Sequence, residues 1–290
     1  PRACPWDGSG QVVGVADSGI DLEHPDLEDV VAEVVALGRP GDASDAHGHG
    51  THVAGLIAGR GRRSPGLAGV APGARLFVQC VVDAKGGLDG LPPGLAELFE
   101  AAYQRGVRVH NNSWGAWVDG RYEAQAEQVD TFVSERRDML VVIAAGNRGT
   151  ASKPSNGDPN AGPGFVEFGS VDAPAVAKNA LTVGACRSER KEGGRSERVW
   201  RDYWRDRFAD DPIGSERISG APESMAAFSS RGPADESRVK PDLVAPGTSI
   251  ASTWPRGLKN GRDWGVVPRT EGLYRYLGGT SMAAPIVAGC

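Results

Sequence analysis

Three glycine-bearing segments place an acid, several imidazoles and an alcohol where they could take part in group transfer. Asp17 ends the apolar run Val12-Val13-Gly14-Val15-Ala16. A carboxylate at the tip of a buried strand is rigid and poorly solvated, which suits a group that must orient an imidazole. His47, His49 and His52 lie in His47-Gly48-His49-Gly50-Thr51-His52-Val53-Ala54-Gly55, a glycine-rich entrance to an apolar helix. Three histidines within six residues invite a metal reading, but no acidic neighbour completes a ligand set. Ser281 follows Gly278-Gly279-Thr280 and opens a second apolar helix, in which Pro285 is expected in or near the tolerant first turn. Free N–H groups and the positive end of the helix dipole favour negative charge developing at such a serine. Each signal has an ordinary structural counterpart, a strand-end aspartate or a serine N-cap.

The elements that must position these groups read as an α/β fold. Runs at 12–16, 76–82, 107–110, 140–144, 180–184 and 243–245 are apolar on both faces, as in strands of a covered parallel sheet. Between them, Leu95, Leu98, Phe99, Ala102 and Tyr103 recur at helical spacing within 94–105. Ala126, Val129, Phe132 and Val133 do so within 123–137. Strands alternating with such helices build right-handed βαβ units, giving a three-layer sandwich with a mostly parallel central sheet. Functional groups then gather beyond the carboxyl ends of the strands.

Composition excludes several other classes. The 290 residues are 40% hydrophobic and 24% charged, near the globular average, which rules out wholesale disorder. A mixed net charge of −5 argues against a nucleic-acid partner, and no apolar stretch approaches the roughly 20 residues of a membrane span. Glycine, at 41 residues, is about twice its usual share of roughly 7%, as expected of a chain with many close backbone approaches. Cys4, Cys80, Cys186 and Cys290 are too few for a disulfide scaffold and lack zinc-site spacing. Cys80 and Cys186 read as buried inert thiols, and Cys4 and Cys290 could pair or remain free. Residues 187–220 form a charge-dense insertion whose stripe Trp200, Tyr203, Trp204 and Phe208 predicts one amphipathic helix docked on the parent domain.

Taken together, the motifs resemble the subtilisin-like serine proteases. Val15-Ala16-Asp17-Ser18-Gly19-Ile20-Asp21, His49-Gly50-Thr51-His52-Val53-Ala54-Gly55 and Gly279-Thr280-Ser281-Met282-Ala283-Ala284-Pro285 stand in that family's Asp, His, Ser order. Ala144-Ala145-Gly146-Asn147, Gly69-Val70-Ala71-Pro72, Phe228-Ser229-Ser230-Arg231-Gly232-Pro233 and Lys240-Pro241-Asp242-Leu243-Val244-Ala245-Pro246-Gly247 extend the match over nearly the whole chain. The segment from Val109 to Ala116 is most similar to the oxidatively stable alkaline protease branch.

The resemblance implies that Ser281 attacks a peptide carbonyl, that His49 moves the proton, that Asp17 orients His49, and that Asn147 binds the oxyanion. It places Ser113, Trp114, Gly115, Ala145 and Gly146 beside the substrate backbone and the P1 side chain. Asp172, next to Ala173-Pro174, falls near the pocket floor, where it would favour Lys or Arg at P1. The implied chemistry needs no cofactor, and a structural calcium is possible. Asp26 matches one ligand of the family's best-known calcium site, but Arg60-Gly61-Arg62-Arg63-Ser64 supplies too few oxygens to complete it. The loop at 156–160 is another candidate for an ion.

The implied partners are protein or peptide substrates, a propeptide inhibitor and a C-terminal β-barrel domain, with no nucleic acid or membrane. Secretion is the family expectation. Asp17 lies 16 residues from the start and Ser281 nine from the end, shorter flanks than relatives usually have, so one catalytic domain truncated at both ends is expected. A peptide ligase or macrocyclase on the same scaffold, with 187–220 as its lid, and a non-catalytic binding module are the alternatives.

Overall fold

The structure, a computed structural model, describes residues 5–150, 164–259, 261 and 263–290. Seven parallel strands form the central sheet: β1 (Val12–Asp17), β2 (Val31–Ala36), β3 (Arg75–Cys80), β4 (Val109–Asn112), β5 (Leu140–Ala144), β6 (Leu181–Cys186) and β7 (Leu243–Pro246). Their order is β2-β3-β1-β4-β5-β6-β7. The six runs read from the sequence are all strands, with every end displaced by at most two residues. Edge strand β2 carries no such run, since Glu33 faces solvent and its pairing with β3 slips between Val31 and Glu33.

Alternate residues of the inner strands feed two cores. Val13, Val15, Leu76, Val78, Val142 and Ala144 pack with helices α1 (His49–Ala58) and α5 (Thr280–Gly289). Ala16, Phe77, Val141 and Ile143 face the other way, against α2 (Leu95–Tyr103) and α3 (Ala124–Glu135). The sheet is therefore covered on both sides, which is why its strands lack polar alternation. After β3 the chain crosses over β1 to begin β4, so β1 sits at the point where the winding reverses. Asp17 ends β1 there, between the ends of β3 and β4.

Two expectations needed correction. The insertion has one α-helical turn, α4 (Trp200–Tyr203), and a separate 3₁₀ turn at Ile213–Ser215, not a continuous amphipathic helix. Its aromatic stripe nevertheless docks: Trp200 and Phe208 are buried, and Trp204 meets Phe228 and Trp264 edge-on. Packing of the rings onto the domain, rather than helical hydrogen bonding, fixes this segment. Second, Pro285 lies in the body of α5, not in its first turn. The ring has no N–H for the carbonyl of Ser281 one turn earlier, and the Ser113 hydroxyl bonds that oxygen instead (3.0 Å). An antiparallel pair, β8 (Ile250–Thr253) and β9 (Tyr274–Leu277), completes the fold.

Cys80 and Cys186 are buried free thiols. Cys4 and the 156–160 loop lie outside the described residues. Among the described residues, no helix is long and apolar enough to cross a membrane.

Candidate active site

Asp17 and His49 meet because two chain exits are tied together. His49 is the first residue of α1, whose entrance at Gly48 takes a left-handed conformation (φ 80°) and lies against the Trp254 ring, where a side chain would clash. The helix start is held by Asp45. Its carboxylate accepts the backbone N–H groups of His47, Gly48 and Thr51 and the Ser18 hydroxyl. Ser18 Oγ in turn accepts the Gly50 N–H (2.9 Å), linking the end of β1 to the start of α1. The sequence reading missed Asp45, although an aspartate just before a glycine-rich helix entrance is a recognisable capping signal.

Within this frame His49 Nδ1–H donates to Asp17 Oδ1 at 2.7 Å. Asp17 is buried and also accepts the Ser18 N–H (2.7 Å), while its Oδ2 is buried with no hydrogen-bond partner. The His49 side chain is one-third exposed, so one face of the ring is open to a reactant. Loss of hydration opposes its charged form. The Asp17 carboxylate and, more distantly, Asp45 outweigh that effect and raise the pKa above the ordinary 6.5.

His52 is a structural histidine. Its Nε2–H donates to the carbonyls of Ile250 and Arg275, and burial, with the neighbouring His49, pushes its pKa down to about 3. Among the described residues, no three His, Cys, Asp or Glu side chains gather closely enough to hold a metal. Asp26 is saturated by the backbone N–H groups of Gly61 and Arg62 and by the Tyr274 hydroxyl. The 60–64 loop thus donates hydrogen bonds to Asp26 rather than supplying oxygens beside it.

Ser281, the second residue of α5, shares a cavity of about 840 Å³ with His49, Asn147, Trp254 and Met282. Its hydroxyl donates to the Ser113 carbonyl (3.0 Å). Asn147 follows β5, and its Oδ1 accepts both the N–H (2.9 Å) and the hydroxyl (3.3 Å) of Thr280. Thr280 Oγ1 itself accepts the Gly146 N–H. These bonds turn the Asn147 amide so that Nδ2 is the end left to donate. Thr280 was quoted in the motif, but its role as clamp depends on a partner 133 residues away and has no local signature.

The expected substrate segments lie alongside. Ser113, Trp114 and Gly115 leave the end of β4, and Trp114 lines a cavity of about 180 Å³ with Asp17, His49, Val82 and Leu88. The Ala145 carbonyl accepts the Asp172 N–H (3.0 Å), and Ala116 and Ala173 exchange two backbone bonds of 2.8 Å. Gly146 (φ 103°) packs so closely on the Asp172 carboxylate that a Cβ there would collide with it. Asp172 is therefore buried between the Gly115 and Gly146 strips. Burial lifts its pKa to about 6, although Arg148 stands 3.6 Å away and opposes the rise.

Comparison with known proteins identifies the family and the fold. Residues 8–290 match the model of the Subtilase family, Peptidase_S8. The chain is 32% identical over 282 residues to Subtilisin Savinase of Lederbergia lenta, covering 97% of this chain and 75% of that protein. It is 27% identical over 347 residues to the Serine protease/ABC transporter B family protein tagB of Dictyostelium discoideum, but spans only 17% of that protein's length. The fold superposes on a cold adapted subtilisin-like serine proteinase with a TM-score of 0.57 at 23% identity, covering 100% of this chain and 76% of that one.

Proposed function

Because the chain belongs to the Subtilase family, we propose that it is a serine endopeptidase that cleaves peptide bonds through an acyl-enzyme on Ser281. The observation carrying this reading is the 2.7 Å bond from His49 to buried Asp17, at the wall of the cavity that also holds Ser281 and Asn147. In the proposed reaction Ser281 leaves the Ser113 carbonyl and passes its proton to His49 Nε2 as Oγ attacks the substrate carbonyl. Asp17, already bonded at Nδ1, fixes the tautomer and stabilises the imidazolium without taking the proton. The Asn147 amide and the Ser281 N–H bind the oxyanion, and His49 returns the proton to the leaving amine. Water then repeats the sequence on the ester. The proposed steps use the chain's own groups and water, with no cofactor.

A preference for Lys or Arg at P1 is part of this proposal. Asp172 lies under the Gly115 and Gly146 strips, where an incoming cation would compete with Arg148 for its carboxylate. Proteins or peptides outside the cell are the proposed substrates.

Mass-spectrometric digestion of a peptide library, with fluorophosphonate labelling, tests the reading. Products heavier than substrate by one water, and label on Ser281, are expected. Loss of one water would instead mean ligation, and an unlabelled, inactive folded protein would mean a binding module. Asp172→Ser is expected to lower the Arg-to-Phe cleavage ratio, and an unchanged ratio rejects the P1 assignment.

A further inference from the structure

The insertion reaches the reaction centre. Trp204, Asp206 and Arg207 line a cavity of about 500 Å³ together with Asn147, Asp172 and Gly279. Arg207 Nη1 donates to the Asn147 backbone carbonyl (3.3 Å), which sets its guanidinium beside the residue that would bind the oxyanion. Trp204 forms an aromatic wall there, backed by Trp200, Phe228 and Trp264, so this edge is not a loose loop.

The charges around the cavity differ in what they still lack. Asp172 is already paired with Arg148, and burial favours its neutral form. Asp206 is exposed. Arg207 is half-buried, and among the described residues no carboxylate comes within ion-pair distance of it. A half-buried guanidinium can bond a carboxylate through two N–H donors at once, which makes Arg207 a favourable partner for an acidic side chain.

A substrate carbonyl held at Ser281 sends its P1 side chain between the 113–115 and 145–146 segments. Asn147 and Gly279, beside the proposed oxyanion site, share the cavity with Arg207, so the proposed path of the chain beyond the scissile bond runs along it. We propose that the insertion forms the leaving-group wall of the cleft and that Arg207 selects substrates with an acidic side chain at P1′ or P2′. The proposal rests on the endopeptidase reading and assigns part of its specificity.

The test compares kcat/KM on the full chain for peptides differing only in Glu, Ala or Lys at P1′ and P2′, with fluorophosphonate labelling in parallel. Glu is expected to exceed Lys by about 10-fold or more at one of these positions. Arg207→Ala should abolish that ratio, Arg207→Glu should invert it, and Arg207→Lys should keep part of it. Added salt should shrink the ratio in the wild type. The inference is overturned if the neutral peptide is cleaved and Ser281 labels but Glu and Lys are not distinguished, or if Arg207→Ala leaves the ratio intact. If neither cleavage nor labelling occurs, the endopeptidase reading falls and takes this inference with it.

Discussion

Ser113 and Ser281 hold each other: each hydroxyl donates to the other's backbone carbonyl, both at 3.0 Å. One bond fills the gap that Pro285 leaves in α5, and the other fixes the hydroxyl of the proposed nucleophile. Ser113 thus joins the end of β4 to the start of α5, across 168 residues of chain.

Removing that hydroxyl should leave the Ser281 carbonyl without a partner. In a Ser281→Ala background, which prevents self-digestion, Ser113→Ala is expected to lower unfolding free energy by about 1–3 kcal/mol. Adding Pro285→Ala supplies an N–H one turn on, so the two changes should couple by at least about 0.5 kcal/mol in urea denaturation. Strict additivity would show that Pro285 and Ser113 do not share this oxygen.

Replacing the carboxylate that orients His49 should be far more damaging to rate than to fold. Asp17→Asn is expected to reduce kcat by about 10⁴-fold, the size seen when the equivalent acid is neutralised in a protease of another fold. The circular dichroism spectrum should be unchanged. A loss below tenfold would remove Asp17 from the mechanism.

The pH profile follows from the raised pKa of His49. Only the neutral imidazole can accept the Ser281 proton, so activity should rise with pH through a midpoint above 6.5. Because Asp17 is the chief cause of the elevation, the residual activity of Asp17→Asn should have a lower midpoint. A wild-type midpoint below 6.5, or none between pH 5 and 9, would contradict the Asp17–His49 pairing.

Asp172 carries a stability signature of opposite sign to an ordinary ion-paired acid. Its folded pKa of about 6 stands above the ordinary aspartate value of 3.8, so between these values the folded state binds more protons than the unfolded chain. Stability should therefore fall as pH rises through this window. In thermal melts of the Ser281→Ala protein, Asp172→Asn is expected to flatten that part of the curve and to raise stability near pH 7 by on the order of 1–2 kcal/mol. An unaltered curve would mean that Asp172 is not held in a poorly solvated site.

The depth to which the chain could be read varied with the range of each interaction. The strand end at Asp17, the helix entrance at His49 and the helix start at Ser281 were legible because each leaves a local pattern. Strand β2 was not, since an edge strand with Glu33 outward shows neither an unbroken apolar run nor clean alternation. The stripe from Trp200 to Phe208 correctly announced burial but misled about helix length, because aromatic packing can fix a chain that forms only one helical turn. Asp45 left a capping signal that passed unused.

The order of the acid, imidazole and alcohol, the doubly covered sheet and the family membership were determined by residue types and their spacing, since burial and helix or strand periodicity are written residue by residue. Tertiary structure alone decided that Arg148 partners Asp172, that Thr280 turns the Asn147 amide, that Ser113 takes the carbonyl freed by Pro285, and that Arg207 arrives beside Asn147. Those contacts depend on where distant loops close and which polar groups are left unsatisfied there, and neither is a property of any local stretch of sequence.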